Sequence, residues 1–319
     1  MRPARLPLVA FAVLATACGE PSGPSSSSSS HWLRCEADAD CDNLPLPATC
    51  GGDGYCVSGT RKVEQTVVFE DDFEGAALDA SSFQPELGFS VRNGDAEYYT
   101  DRPDNVALEG GELVITARAE DYEDAAFTSG SIETRGLRSW TYGRFEARIL
   151  APTGRGCGPA FWLYPESDVP PVRVCSDADT CTEGTWPAWG DIVVMTVRSD
   201  APNDVLHTAS FATPDATLGE LVRDEGGGTT TLEAPVSAEY HDYAVVWGPR
   251  RIEWFLDGEL TASFATTSGG IFQPEGENPF AQPFHLKLSL AVGGLAEAPV
   301  AADYPQAMRV DWLRVTQFE

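Results

Sequence analysis

The stretch FHLKLSLAV at 284–292 alternates almost without a break: Phe284, Leu286, Leu288, Leu290 and Val292 are apolar, and His285, Lys287 and Ser289 between them are polar. Successive side chains of an extended strand point to opposite faces, so this run presents one apolar face and no helical stripe. It reads as a half-buried strand. RIEWFL at 251–256 and ELTASF at 259–264 flank Asp257 and Gly258, a pair that favours a two-residue hairpin turn. Similar extended runs recur between clusters of Gly, Pro and Asp, and no long segment repeats at the helical period. Many short strands with one apolar face each are best buried against one another, in an all-β sandwich of two antiparallel sheets.

At 319 residues the chain has room for one large β domain of up to about 250 residues and little more. The front end accounts for the remainder. Arg2 and Arg5 precede the apolar run from Leu6 to Ala17, which is too short to span a bilayer, a task that takes about 20 residues, and 1–17 reads as a secretion signal. The run ends Ala-Thr-Ala-Cys-Gly, resembling a bacterial lipoprotein cleavage site that would leave Cys18 as an acylated N-terminus in the cell envelope. Ala15 stands where Leu is more usual, and ordinary signal cleavage with an unmodified Cys18 is the alternative. The Ser-rich stretch completing 18–31 suits a flexible tether.

Twenty-one basic against 49 acidic residues give a net charge of −28. Phosphate backbones are bound by clustered Lys and Arg, so nucleic acid is excluded as a partner; the acidity serves solubility or a saline habitat. Eight Cys in an exported chain point to disulfides. Cys35, Cys41, Cys50 and Cys56 read as a small two-disulfide module over 32–60, ahead of the sandwich at 65–319. Three pairings are open. A zinc site is the alternative, but the spacings lack the close CxxC pairs that such sites favour. The DADCDN run at 38–43 imitates a calcium loop and fails it, with Asn43 where the turn Gly belongs and Thr49 where the bidentate Glu belongs.

In WPAWGDIVVMT at 186–196, the positions 191, 193 and 196 share one strand face if a single extra residue is bulged between the last two. The stretch closely resembles the signature of glycoside hydrolase family sixteen, the laminarinase and lichenase group, whose usual form is WPACGEIDIME. There the first Glu is the nucleophile, the Asp assists it and the last Glu is the general acid/base. The matching positions hold Asp191, Val193 and Thr196. A retaining glycosidase needs two carboxyl groups roughly 5 Å apart, and Thr196 cannot protonate a glycosidic oxygen at neutral pH. Losing the acid forfeits on the order of 10²–10⁴ in rate, and withdrawing the nucleophile by one bond about 10² more. Together these amount to roughly 5–8 kcal/mol of barrier.

Other segments resemble the same family in its own order: FEDDFEGAALDASSF at 69–83, NGDAEYYTDRPDNVALEGGELVITAR from Asn93, SGSIETRGLRSWTYGRFEARI from Ser129, GPAFWLYP at 158–165, HDYAVVWGPRRIEWFLDGEL from His241, and the terminal MRVDWLRVTQF. The resemblance implies the concanavalin A-like jelly roll, one curved sheet of which forms a sugar groove. It carries across Asn93, Tyr98, Arg135, Trp162, Trp186 and His207 as groove residues, with the two Trp as stacking platforms for pyranose rings. For the Trp residues the alternative is a place in the core; for His207 it is a hydrogen-bonded strand histidine. Gly158, Ser289 and Leu295 depart from the family's Trp, Asn and Trp. A loop between Pro165 and Trp186 is longer than usual; Cys175 and Cys181 can staple its tip, leaving Cys157 unpaired, while pairing of Cys157 with either stays open. No cofactor is expected for catalysis. Asp311 matches a position that holds a structural calcium in the family; a salt-bridged surface Asp is the alternative.

The expected function is recognition of a polysaccharide, a β-1,3- or mixed-linkage glucan or an algal galactan such as agar or carrageenan, by an envelope protein that has lost hydrolysis. Two alternatives stand beside it. One is an active endo-β-glucanase with Asp191 as nucleophile and another acid such as Glu133; the other is a structural envelope protein.

Overall fold

The computed structural model describes residues 31–319 apart from 46, 53, 60, 90–93, 168–172, 178–179, 184–188, 216–219, 267–277 and 295–296. Among these, two sheets pack face to face as the jelly-roll sandwich. The seven-stranded sheet runs Glu220–Thr231, Asp204–Asp215, Asp191–Val197, Cys157–Pro165, Phe284–Val292, Ser131–Glu133 and Gln84–Pro85. The main path of the twelve-stranded sheet is Glu259–Ala265, Arg251–Leu256, His241–Trp247, Gly143–Leu150, Gln306–Phe318, Leu113–Tyr122, Ala125–Ser129, Glu97–Tyr99 and Gly88–Phe89, with Glu64–Asp71 paired to Gln306–Phe318. Pairing is antiparallel except between Ala125–Ser129 and Glu97–Tyr99.

The alternation at 284–292 explains the core. Phe284, Leu286, Leu288, Leu290 and Val292 enter it beside Phe161, Leu163, Ile192 and Val194, and face Phe145, Tyr243, Val245, Trp247, Trp254 and Val310 of the other sheet. A buried indole N–H needs an acceptor: Trp247 Nε1 donates to Phe280 O at 3.0 Å and Trp254 Nε1 to Val193 O at 2.9 Å. The strand is not half-buried, however. His285, Lys287 and Ser289 are only 3%, 2% and 4% exposed, because side chains of the neighbouring strands close over them. The hairpin turn is as expected, with φ of 51° at Asp257 and 83° at Gly258, the left-handed pair that a two-residue turn requires.

Of the three pairings, the N-terminal module takes Cys35–Cys50 and Cys41–Cys56. The DADCDN carboxylates bind backbone: Cys50 N donates to Asp38 (2.8 Å), and Glu36 N and Ala37 N donate to Asp40 (2.7 and 2.9 Å), which holds the Asp40 carboxyl below its usual range. Asn43, wrong for a calcium loop, docks the module. Its Oδ1 accepts from Arg250 N and Arg251 N (3.2 and 2.9 Å) and its Nδ2 donates to Arg251 O (3.1 Å). The approach is close enough that a Cβ on Gly248 would sit 2.0 Å from Asn43 O.

Cys157 is free and buried. Burial pushes its thiol up to about 11, and its Sγ lies 3.8 Å from Tyr304 Oη. Cys175 and Cys181 are opposite one another in the hairpin formed by Arg173–Asp177 and Thr180–Glu183; their side chains lie outside the described residues.

Glu97 is fully buried under the end of the strand Phe284–Val292, where Val292 N donates to its Oε2 at 2.9 Å. Burial, helped by Asp95, raises its carboxyl from 4.5 to about 7. The folded chain then holds a proton that the unfolded chain releases, so this contribution to stability is complete below 4.5 and is lost as pH rises through about 7. Glu97→Gln should flatten that slope and stabilise the protein at pH 8 by about 3 kcal/mol, the worth of the displacement. Urea denaturation at pH 5 and pH 8 reads the difference; parallel profiles for the two proteins would contradict it.

Candidate functional site

The strand Asp191–Val197 carries an irregularity in its middle. Asp191 pairs with Ser210 and Val193 with Thr208, but the next partner two residues along, Leu206, faces Thr196. On the other side Trp162 pairs with Val193 and Phe161 with Met195. The extra residue is absorbed toward the core, where Ile192, Val194, Met195 and Val197 all pack. Asp191, Val193 and Thr196 are left on the opposite face of the seven-stranded sheet, turned away from the core.

That face is ordered in cross-strand rows. One runs Thr208, Val193, Trp162, Lys287, Glu133, Gln84; the next runs Leu206, Thr196, Ala160, Ser289, Ser131. Glu133 is thus three strands from the strand of Asp191, about 14 Å at the usual strand spacing. Retaining chemistry needs carboxyls ~5 Å apart and inverting chemistry about 6.5–9.5 Å.

The floor holds a charged network. Lys287 is ion-paired with Glu86, which also accepts from Ser131 Oγ at 3.0 Å, and its ammonium lies 5.9 Å from the centre of the Tyr164 ring. His285 stacks on Tyr164 with ring centres 6.2 Å apart. Its Nε2 is 3.6 Å from Glu133 and its Nδ1 is 3.5 Å from Glu166. Burial pushes the Glu133 carboxyl up, but the hydrogen bond from His285 and the charges of Lys287, His285 and Arg135 outweigh it and hold the group below its usual range. Trp162 Nε1 donates to Ser289 Oγ at 3.1 Å, leaving a half-buried indole beside Val193.

Residues 201–314 match the sequence profile described as Glycosyl hydrolases family 16, a segment that begins beyond the strand Asp191–Val197. A beta-glucanase of Rhodothermus marinus is 33% identical over 262 residues, covering 78% of this chain and 84% of that protein. The chain belongs to glycosyl hydrolase family 16. Glucan endo-1,3-beta-glucosidase A1 of Niallia circulans is 32% identical over 275 residues, spanning 78% of this chain but 37% of that longer protein. The laminarinase from Rhodothermus marinus superposes with a TM-score of 0.68 at 31% identity, covering 79% of this chain and 97% of that structure.

Not every position carried over from the family lies in the groove. Trp162 does, and Arg135 follows the strand Ser131–Glu133, where its charge acts on Glu133. His207 does not. It shares the inward parity of Val205, Ala209 and Phe211, with Nδ1 2.8 Å from Val194 O and Nε2 3.2 Å from Thr261 Oγ1 of the other sheet; burial lowers its pKa. Tyr98 belongs to the twelve-stranded sheet, its ring against Phe89 and Tyr122. Asn93, Trp186, Leu295 and the lipidation candidate Cys18 lie outside the described residues. A Cβ on Gly158, where the family has Trp, would touch only the side chain of Ala291 and the backbone behind it, at 3.5 and 3.9 Å.

The calcium candidate Asp311 has an Oδ2 3.4 Å from Arg148 Nε. Its acidic neighbours are matched as well, Asp242 by Arg148 and Glu112 by Arg309 (3.0 and 2.9 Å). Asp311 is thus a salt-bridged Asp that shares the one guanidinium of Arg148 with Asp242. Among the described residues, the only cluster of three or more His, Cys or acidic groups close enough to share a metal is formed by disulfide sulfurs of Cys35, Cys41 and Cys56.

Sequence reasoning passed over Tyr164, His285, Lys287, Glu86 and Glu166. The polar parity of 284–292 was the available signal for two of them, but parity alone does not distinguish a solvated face from a buried groove floor.

Proposed function

We propose that this family 16 chain is an exported, envelope-anchored protein that recognises a polysaccharide without hydrolysing it. The observation that carries the reading is the face of the strand Asp191–Val197. It offers one carboxylate at the three positions where the family's signature has three, and Glu133 stands three strands away. The β-glucan ligand class follows from the names of the relatives, beta-glucanase and glucan endo-1,3-beta-glucosidase. Trp162 offers the stacking surface, and Glu133 and Ser289 are polar groups suited to sugar hydroxyls. Residues 1–17 act as the export signal and Cys18 as the lipid attachment point. A structural role without ligand has one observation on its side, since Asp191, Lys287 and Ser289 are almost fully buried.

Purified protein should release no reducing sugar from laminarin or lichenan above a buffer control; turnover in the ordinary range of ~1–10³ s⁻¹ would refute the loss of hydrolysis. Combining Asp191→Glu, Val193→Asp and Thr196→Glu should restore hydrolysis with retention if the strand alone is at fault, whereas a folded but inert triple variant would place the defect also in the groove. Recognition is read by retardation in laminarin-containing gels. Trp162→Ala should weaken it by about 1–3 kcal/mol, the scale of burying a large apolar side chain; wild-type protein that ignores every β-glucan and algal galactan would leave the structural role. For the anchor, Cys18→Ser should move the protein out of the detergent phase or leave its signal uncleaved, because stable anchoring takes more than one acyl chain. Unchanged partitioning would argue against acylation.

A further inference from the structure

The groove face of the seven-stranded sheet places one imidazole between two carboxylates. His285, with a side chain 4% exposed, meets Glu133 Oε2 at Nε2 (3.6 Å) and Glu166 Oε2 at Nδ1 (3.5 Å). A neutral imidazole has one N–H and one lone pair, so it satisfies one carboxylate and turns a lone pair toward the other; the imidazolium donates to both. Among the described residues, His285 Nδ1 and Glu166 Oε2 are shielded from solvent and make no regular hydrogen bond, so their 3.5 Å approach is the contact each has. Water therefore does not relieve a mismatch there.

The two carboxylates serve different parts of the molecule. Glu133 lies in the row of Val193, Trp162 and Lys287. Glu166 is the first residue of the long loop, fixed to the sheet by Gly136 N donating to its Oε1 (2.7 Å) and by its own N–H donating to Pro283 O (2.9 Å). The other groups facing the imidazole are Tyr164, stacked on it, Lys287 on its own strand with partner Glu86, and Arg135 beyond Glu133.

We propose that His285 is a positioning residue of the groove: as imidazolium it aims the Glu133 carboxylate at a sugar hydroxyl and ties the root of the 166–185 loop to the same point, and on losing its proton it releases one of the two. The ligand is a hydroxyl-rich neutral glycan, so this rests on the glycan-recognition reading and adds a pH dependence to it. Affinity is high while His285 is charged and falls when it loses its proton.

The test measures laminarin affinity of the full-length protein from pH 5 to pH 8. The wild-type dissociation constant should rise about tenfold, equivalent to roughly 1.4 kcal/mol, the scale of one charge-assisted hydrogen bond. His285→Gln should be weak and flat. Glu166→Gln should be flat at the tight end, because its amide can donate to the neutral Nδ1 while Nε2–H still serves Glu133; a merely structural contact would not be improved by that change. A flat wild-type profile, or an unchanged slope in Glu166→Gln, overturns the proposal. If laminarin does not bind at any pH, the glycan reading falls, and the clamp is decided by NMR. The His285 titration curve must then move in Glu166→Gln, and a curve that stays in place overturns the clamp as well.

Discussion

The structure depends on the strand Phe284–Val292 being buried on both faces. Its apolar parity builds the inter-sheet core, and its polar parity is the groove floor. Taking an ammonium out of water costs several kcal/mol unless it is paired, so Lys287 constrains what surrounds it. Glu86 supplies the opposite charge and the face of Tyr164 a weaker cation–π contribution. Glu86 is in turn fixed by Ser131, through its own N–H and through the Ser131 hydroxyl. The edge of the seven-stranded sheet is thereby coupled to its centre by charge as well as by backbone pairing.

The strand Asp191–Val197 is shaped from the side opposite the groove. Its bulge is held from the core side: Val194 and Met195 are both packed inward, and the fully buried Trp254 donates across the sandwich to the Val193 carbonyl. None of these contacts involves the groove-facing side chains at 191, 193 and 196. The backbone that carries those side chains is therefore fixed from the core.

Acidity is handled differently on the two sheets. On the twelve-stranded sheet the carboxylates of Glu70, Glu112, Glu146, Asp242 and Asp311 share Arg148, Arg309 and Arg314 as partners. Such partly exposed pairs contribute about 0–1 kcal/mol each and mainly keep like charges apart. In the groove the same charges are withdrawn from solvent, where an unmatched partner is costly. An imidazole between two carboxylates therefore has consequences there that it would lack on the surface.

Much of this was legible in the sequence. Alternation at 284–292, the Asp-Gly turn at 257–258, the four-Cys module and the degenerate signature at 186–196 depend on local periodicity and on residue identity, and a sandwich follows from them. The sequence left His207 open between a groove residue and a hydrogen-bonded strand histidine and could not place Tyr98, because membership of a face or a sheet depends on which strands pair, and pairing is long-range. It left three disulfide pairings open, since spacing does not determine which sulfurs meet. Nor could it see that Asn43 docks the module on residues more than two hundred positions away, or that His285, Lys287, Glu86, Glu133 and Glu166, from separate segments, form one network. Local chemistry determined the strands and the residues at 191, 193 and 196; only tertiary structure decided which polar side chains would be buried together, because that burial is created by strands that the chain brings side by side.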